Sequence, residues 1–527
     1  MWGTSVRRSL FAATALVSIV VVATAADAGQ PRHHRTGLDC NVEQIQRRAG
    51  RPISRDARTV EIVSAVEMTT AAPAVSYCRV DGYVVTQGPG PDPNHVNFMV
   101  ALPEGFEQRY FFVGVGGSAG IVPPPPDAQL REGYAVAGTD GGSPTPGIDW
   151  RFAIDRTKAF DYGQRGVHVS AVATQRITRA FYGLSGRQDE LFSYISGCSG
   201  GGRMGNAEAS TYPDTFDGVI LGAPGIDPQN ILLFGRVADL VLENPDTWVS
   251  PQQLAQLEAA VVEQFDDADG ADDGLIWDPS RVSFDPASLG IFTPPQLELL
   301  DIVLGGLDTP GASYPGFSLA NPIGWSSFLV GLTPPPWTAT TAPAGFTVFD
   351  TYSKGLFGPD YDFTTQFRFD DRGYVRQWRQ LFDRVYQASG EADPADLARF
   401  ERAGGKLLIW HGVADNAISI NDTIEYYDGI ADIRRRGDVD SFARLFPVPG
   451  LLHCGGGPGP VDVPDQALSA IVDWVENGHA PDSLVADAPG RSFRLCPYPE
   501  ASVFAGGVDN PAALDVNDAA NWSCAEP

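Results

Sequence analysis

The chain has 527 residues, of which 43% are hydrophobic and 19% charged, and this composition predicts a folded protein with a large buried core. Its formal net charge of -28 at pH 7 would repel phosphate backbones and anionic lipids, so we expect no nucleic-acid partner. Beyond the N-terminus no apolar run is long enough to span a membrane.

The first 28 residues have the composition of an export signal. Arg7 and Arg8 precede an apolar stretch at 10–22, and alanines follow at positions 23, 25, 26 and 28. This stretch is shorter than the roughly 20 residues that a spanning helix needs. We therefore predict a signal peptide at 1–28 and a secreted or periplasmic protein with no membrane partner after cleavage. Six cysteines remain, and an even number in an exported chain favours disulfides, for which 15 pairings are open.

Short apolar runs alternate with helical patterns along much of the remaining chain. The predicted helices lie at 167–182 and directly after Ser199, and the runs that predict buried parallel strands are 110–115, 134–139, 191–196, 218–221, 406–410 and 444–448. Such alternation is typical of an α/β protein with a doubly wound, mostly parallel sheet. The Pro-rich, Gly-rich and aromatic segment 227–400 lacks it, and we predict a large lid (cap) domain inserted there. The sheet domain then comprises 29–226 and 401–527.

A G-x-S-x-G motif places Ser199 between a predicted strand and a predicted helix. In this context the small residues permit the sharp turn that exposes a nucleophilic serine. The backbone N–H of Gly200 is then the first candidate donor to a reaction oxyanion. The second donor should come from the glycine-rich loop at 114–120, where we favour Gly117 over Gly116.

Asp415 and His453 are the candidate partners of Ser199. Asp415 follows the predicted strand 406–410, and His453 follows the strand 444–448, so both lie where catalytic groups collect at the carboxyl ends of strands. The order Ser, Asp, His is that of α/β-hydrolases. After Asp415 the only histidines are His453 and His479, and the second lies in a segment with surface character. We expect His411 to support the Asp415 loop.

Cys198 and Cys454 directly adjoin the candidate nucleophile and base, so one disulfide could join the two loops. In the predicted mechanism His453 takes the Ser199 proton, Ser199 attacks an ester carbonyl, and water hydrolyses the resulting acyl-enzyme. Asp415 orients the imidazole and stabilises its charged form.

The motifs around these residues resemble those of the tannase and feruloyl esterase family, which also contains a hydrolase of mono-(2-hydroxyethyl) terephthalate. A Cys-Ser pair at 198–199 and a His-Cys pair at 453–454 carry the resemblance. Further matching segments are 197–203, 212–218, 222–224, 404–415, 448–459, 474–478 and 496–499. The resemblance implies an α/β-hydrolase whose lid covers an aromatic-ester pocket, the triad Ser199, Asp415 and His453, and a Cys198–Cys454 disulfide.

Two further disulfides, Cys40–Cys78 and Cys496–Cys524, are assigned by the same resemblance. Six aromatic residues of the predicted lid could stack on an aromatic acyl group, although each is more often expected in the lid core. They are Trp325, Trp337, Phe349, Tyr352, Phe357 and Tyr361.

An acidic loop at 266–276 has closely spaced carboxylates around glycines, which suit Ca²⁺. The resemblance implies a structural calcium ion held there by Asp266, Asp269 and Asp273 with the carbonyl oxygens of Ala271 and Leu275. Phe265 stands where many relatives have a cysteine, so we expect no lid disulfide. No organic cofactor is expected.

The sequence thus predicts a secreted serine carboxylic-ester hydrolase acting on small aromatic (phenolic) esters such as feruloyl or galloyl esters. Hydrolysis of terephthalate-type or small aliphatic esters, and peptidase or acyltransferase chemistry on the same fold, remain open. A catalytically silent binding protein is the remaining alternative, although no member of the triad is missing.

Overall fold

The structure, a computed structural model, describes residues 37–185, 190–309, 311–369, 372–387, 394–433, 439–506 and 514–526. The predicted signal peptide at 1–28 lies outside the described residues. All described residues fall in one compact unit. Within the described ranges, no helix combines the length and the apolar character that crossing a membrane requires.

A nine-stranded sheet lies at the centre, and three two-stranded sheets accompany it. The strands are β1 (Ala57–Thr69), β2 (Ser76–Thr86), β3 (Asn94–Pro103), β4 (Arg109–Val113), β5 (Tyr134–Thr139), β6 (Phe192–Cys198), β7 (Gly218–Gly222), β8 (Leu307–Thr309), β9 (Ala312–Tyr314), β10 (Lys406–Gly412), β11 (Ala443–Val448), β12 (Leu484–Ala488), β13 (Arg491–Leu495), β14 (Ala501–Phe504) and β15 (Trp522–Ala525). The order in the large sheet is β1-β2-β3-β5-β4-β6-β7-β10-β11. From β5 to β11 the neighbours are parallel, whereas β1, β2, β3 and β5 pair antiparallel.

The six predicted strands correspond to β4, β5, β6, β7, β10 and β11, so the doubly wound, mostly parallel sheet is confirmed. The strands β1, β2 and β3 were not predicted. Continuous apolar runs mark strands buried on both faces, whereas β2 alternates buried and partly exposed residues along its length. Antiparallel strands of this kind have a period of two.

Helices cover both faces of the sheet. They are α1 (Val42–Ala49), α2 (Asp127–Arg131), α3 (Arg156–Phe160), α4 (Gly166–Tyr182), α5 (Gly200–Thr211), α6 (Gln229–Glu243), α7 (Pro251–Phe265), α8 (Pro294–Gly305), α9 (Trp325–Phe328), α10 (Ala344–Phe357), α11 (Phe363–Gln366), α12 (Arg372–Tyr386), α13 (Ala398–Arg402), α14 (Ile420–Ile433) and α15 (Val463–Asn477). Residues of β4 alternate between two apolar cores: Phe112 joins the core that contains Ile177 of α4, and Phe111 joins the core that contains Ile471 of α15. This division is that of a three-layer α/β fold.

The segment between β7 and β10 contains α6 to α13 and the paired strands β8 and β9, and none of its described residues joins the large sheet. The prediction of a lid at 227–400 falls in this segment. Its aromatic residues Phe349 and Trp378 belong to the same apolar core as Phe112 of the sheet. The lid segment therefore shares one continuous apolar core with the sheet domain, and its domain boundaries stay a prediction.

Candidate active site

Ser199 occupies a sharp turn between β6 and α5. Its backbone has φ 61° and ψ -120°, a conformation that L-residues rarely adopt. The turn is possible because its neighbours are small: a Cβ on Gly197 would lie 2.8 Å from the Cα of Gly201. The N–H of Ser199 donates to the carbonyl oxygen of Gly222 on β7 at 2.8 Å. Ser199 therefore stands at the carboxyl edge of the parallel strands, as the motif predicts.

Asp415 and His453 come together from the loops that follow β10 and β11. His453 Nδ1 lies 2.8 Å from Oδ2 of Asp415. The Asp415 side chain is fully buried, whereas that of His453 is 22% exposed. Ser199 and His453 line the same cavity. His479 is 73% exposed and contacts Asp473 instead.

His411 and two backbone amides hold the Asp415 carboxylate. The N–H groups of Ala417 and Ile418 donate to Oδ1 at 2.8 and 2.9 Å. His411 Nε2 lies 3.3 Å from Oδ2 of Asp415, and its Nδ1 lies 2.8 Å from the hydroxyl of Thr423. Because Nε2 faces acceptors and Nδ1 faces a hydroxyl, the His411 proton belongs on Nε2. His411 thus lies against the Asp415 carboxylate, where the sequence predicted that it would support the Asp415 loop.

The charges and hydrogen bonds among Asp415, His453 and His411 shift the pKa values of Asp415 and His453. Burial by itself raises the pKa of Asp415, but the charge of His453 and the hydrogen bonds from both histidines hold that pKa well below its ordinary value. Burial by itself lowers the pKa of His453, yet the Asp415 carboxylate raises it above the ordinary imidazole value. An ionised Asp415 thus faces an imidazole whose basicity it increases.

The Cys198–Cys454 disulfide joins the serine turn to the histidine loop, with Cα atoms 5.8 Å apart across a sequence separation of 256. Cys40–Cys78 and Cys496–Cys524 are also bonded, and no cysteine is free. All three predicted pairings are confirmed, and the lid segment contains no disulfide.

The glycine-rich loop after β4 lies beside Ser199. Gly116, Gly117 and Gly200 line the cavity together with Ser199. A Cβ on Gly200 would lie 3.0 Å from the backbone nitrogen of Gly117, so the two candidate donor residues are direct neighbours. Gly117 has φ +57°, and a Cβ there would lie 2.0 Å from the carbonyl oxygen of Gly147. Only glycine fits this position.

A cavity of about 410 Å³ opens at Ser199. One wall consists of five aromatic side chains, which we call the aromatic wall: Trp150, Tyr162, Tyr352, Phe382 and Tyr386. Trp150 stacks on Tyr352 with ring centroids 4.3 Å apart, and Phe382 lies 4.6 Å from Tyr386. Apolar residues of α6, among them Ile231 and Phe234, line it as well.

Of the six lid aromatics named from the sequence, Tyr352 lines the cavity. Trp325 and Phe349 are buried in the core, Trp337 packs against Phe346, and Phe357 stacks on Tyr361. The other members of the aromatic wall were not predicted. Trp150 and Tyr162 precede α4, outside the predicted lid, and no motif marks Phe382 or Tyr386.

The predicted calcium loop forms a short 3₁₀ turn at Asp266–Asp269. Asp266 Oδ1 accepts backbone N–H groups of Asp273, Gly274 and Leu275 at 2.9 to 3.2 Å, and Asp273 Oδ2 pairs with Arg491. Burial raises the pKa of Asp266 to about 6; burial and, to a smaller extent, the neighbouring carboxylates raise that of Asp269 to about 8. No three His, Cys, Asp or Glu side chains of the described ranges converge into a metal-binding group.

Residues 78–525 match the family described as tannase and feruloyl esterase. A probable feruloyl esterase of Arthroderma benhamiae is 29% identical over 457 residues, which cover 82% of either chain. The mono(2-hydroxyethyl) terephthalate hydrolase of Piscinibacter sakaiensis is 26% identical, with 89% of either chain covered. The crystal structure of feruloyl esterase B from Aspergillus oryzae superposes with a TM-score of 0.73 at 24% identity, covering 92% of this chain and 100% of that one. The predicted α/β-hydrolase fold is confirmed.

Proposed function

The chain belongs to the tannase and feruloyl esterase family and is a carboxylic ester hydrolase, and we propose that it cleaves esters of aromatic acids through an acyl-enzyme on Ser199. The observation that carries this proposal is the His453–Asp415 hydrogen bond of 2.8 Å, whose histidine lines the same aromatic cavity as Ser199. A disulfide ties the serine and histidine loops together.

In the proposed reaction His453 Nε2 removes the hydroxyl proton of Ser199 as the oxygen attacks the ester carbonyl carbon. The N–H groups of Gly200 and Gly117 stabilise the negative oxygen of the tetrahedral intermediate. His453 then gives its proton to the departing alcohol, and a water molecule activated by the same imidazole releases the acid. Asp415 keeps Nδ1 protonated and stabilises the imidazolium.

The aromatic wall supports an aromatic acyl or alcohol group in the substrate. Its five rings line the cavity. An aromatic ring of the substrate that pairs with one of them gains about 0.5–1.5 kcal/mol beyond the burial of its area. Feruloyl, galloyl and smaller phenolic esters share this feature. A terephthalate-type ester shares it too, whereas a short aliphatic ester does not.

Hydrolysis of a small ester panel tests the proposal. Methyl ferulate, methyl gallate, mono-(2-hydroxyethyl) terephthalate and a short aliphatic p-nitrophenyl ester are compared for wild type, Ser199→Ala and Ser288→Ala. The last is a matched surface control, since Ser288 is exposed and its hydroxyl donates to the carbonyl oxygen of Asp285. We expect fastest turnover of a ferulate or gallate ester, abolished in Ser199→Ala alone.

Other outcomes assign the alternatives. Fastest turnover of the terephthalate ester or of the aliphatic ester would replace the phenolic assignment while keeping the serine mechanism. Transfer to an added alcohol at the expense of hydrolysis would identify an acyltransferase. Absence of Ser199-dependent turnover, with no labelling of Ser199 by a fluorophosphonate, would contradict catalysis and favour a binding protein.

We also propose that the acidic loop binds a structural Ca²⁺ through Asp266, Asp269, Asp273 and the carbonyl oxygens of Ala271 and Leu275. Asp266 and Asp269 are both buried, which supports a cation there, because a bound cation would offset the cost of burying their charges. Export is a further proposal; N-terminal sequencing of the protein from the culture medium or periplasm would locate the cleavage site.

A further inference from the structure

The loop that supplies the second oxyanion donor is held by hydrogen bonds on both sides of Gly117. The N–H of Ala119 donates to the carbonyl oxygen of Gly116 at 3.2 Å, and the N–H of Ser118 donates to that of Gly147 at 2.7 Å. Because a trans peptide places its N–H opposite its C=O, the first bond turns the N–H of Gly117 away from Ala119. Among the described residues, no acceptor takes that N–H.

Glycine at φ +57° has no Cβ to restrict its rotation, so these hydrogen bonds must fix the direction of its amide. One of them comes from a side chain: the hydroxyl of Tyr162 donates to the carbonyl oxygen of Gly117 at 2.8 Å. With the Ser118 N–H bonded to Gly147, both polar groups of the peptide between Gly117 and Ser118 are held. The Tyr162 ring meanwhile lines the substrate cavity.

We propose that Tyr162 is a positioning residue for the oxyanion hole, acting through the Gly117 peptide. The inference rests on the proposed function, since it needs an oxyanion to be stabilised. Loss of the hydroxyl leaves the Gly117 carbonyl without this donor and loosens the peptide between Gly117 and Ser118. The position of that peptide limits the backbone dihedrals of Gly117, and through them the direction of the N–H on the preceding peptide. The Gly117 N–H then points less accurately at the developing negative charge, while contacts to the ground-state ester remain.

Arg203 holds Tyr162 in place. It lies one helical turn after Ser199 on α5, and it donates to the carbonyl oxygens of Tyr162 and Gly163, each at 2.9 Å. Its guanidinium also lies 4.4 Å from the centroid of the Tyr162 ring. These carbonyls belong to a π-helical turn, Asp161–Arg165, a geometry often found at functional sites. Consecutive hydrogen bonds therefore connect Arg203 on the serine helix to Tyr162, and Tyr162 to Gly117 in the oxyanion loop.

The test compares Tyr162→Phe with Tyr182→Phe. Tyr182 is a matched control, because its buried hydroxyl also donates to a backbone carbonyl, that of Pro103 at 2.6 Å, and it does not line the cavity. Each variant is assayed with the ester that wild type hydrolyses fastest. We measure kcat, KM, the inhibition constant of phenylboronic acid, which forms a tetrahedral adduct with a reactive serine, and that of the free acid product.

For Tyr162→Phe we expect kcat to fall about tenfold, less than the hundredfold or more for a deleted oxyanion donor. KM and the product inhibition constant should stay within about twofold, and the boronate constant should rise about as much as kcat falls. Tyr182→Phe should change none of these. If Tyr162→Phe does not fold, Arg203→Lys replaces it, since lysine cannot bond two carbonyls as a fork, and the same pattern is expected.

Two results would overturn the proposal. One is an unchanged kcat in Tyr162→Phe. The other is an equal weakening of boronate and product, which would mean that Tyr162 only shapes the cavity. The Ser199→Ala variant distinguishes failure of this proposal from failure of the proposed function. If the proposed function is wrong, Ser199→Ala retains the wild-type activity, independently of the result for Tyr162→Phe.

Discussion

Removing the Cys198–Cys454 disulfide should cost more stability than removing either of the other two. The disulfide closes a loop with a sequence separation of 256, against 38 for Cys40–Cys78 and 28 for Cys496–Cys524. If the bond acts by restricting the unfolded chain, these separations correspond to about 5.5, 3.9 and 3.6 kcal/mol at 25 °C. The paired variant Cys198→Ala/Cys454→Ala should therefore unfold at the lowest urea concentration.

The same variant should also lose activity while folded. Its bond joins the turn of Ser199 to the loop of His453, and a displacement of about 1 Å between reacting groups can cost a hundredfold in rate. We expect kcat/KM to fall at least tenfold per active site, counted by fluorophosphonate titration. The other two paired variants should keep wild-type kcat/KM at temperatures where they remain folded.

Urea unfolding followed by fluorescence and circular dichroism gives the order of stabilities. An equal loss in all three paired variants would contradict the loop-length reasoning. Wild-type kcat/KM in folded Cys198→Ala/Cys454→Ala would show that packing alone positions the triad, and it would refute the catalytic part of the prediction.

Four further predictions concern the pH dependence of activity and of stability, the calcium site and the cavity. Because Asp415 raises the pKa of His453 and the base must be neutral, the acidic limb of the kcat/KM profile should lie above about pH 6.5 and move to lower pH in Asp415→Asn. Because the pKa of Asp415 is lowered in the folded state, its ionised carboxylate stabilises the fold at every pH above the ordinary pKa of aspartate. The free energy of unfolding, measured by urea titration, should lose this contribution as the pH falls from that ordinary pKa towards the lowered one. Chelation by EGTA should lower Tm in wild type, and the shift should be absent in Asp269→Asn; equal Tm with and without EGTA in wild type would contradict the calcium site. Trp150→Leu, which removes the ring stacked on Tyr352, should lower kcat/KM for the aromatic ester about tenfold more than for the aliphatic ester; an equal change for both esters would argue against an aromatic subsite.

The sequence by itself determined the features that depend on neighbouring residues. Gly197, Ser199 and Gly201 specify a tight strand-to-helix turn. A Cβ on Gly197 would clash with Gly201, and one on Gly201 would clash with the backbone of Gly114 after β4. Cysteines directly adjacent to Ser199 and His453 predict the disulfide that joins the two loops. The apolar runs marked the parallel strands, since burial on both faces leaves little room for polar residues.

Only the tertiary structure decided what surrounds the substrate. Trp150 and Tyr162 precede α4, whereas Phe382 and Tyr386 lie on α12, and no local pattern distinguishes these aromatics from the core residues Trp325 and Phe349. The hydrogen bond from Tyr162 to Gly117 likewise joins residues 45 positions apart. Which ring faces the cavity depends on how the lid segment packs against the sheet, and that packing is a sum of non-local contacts that sequence periodicity does not encode.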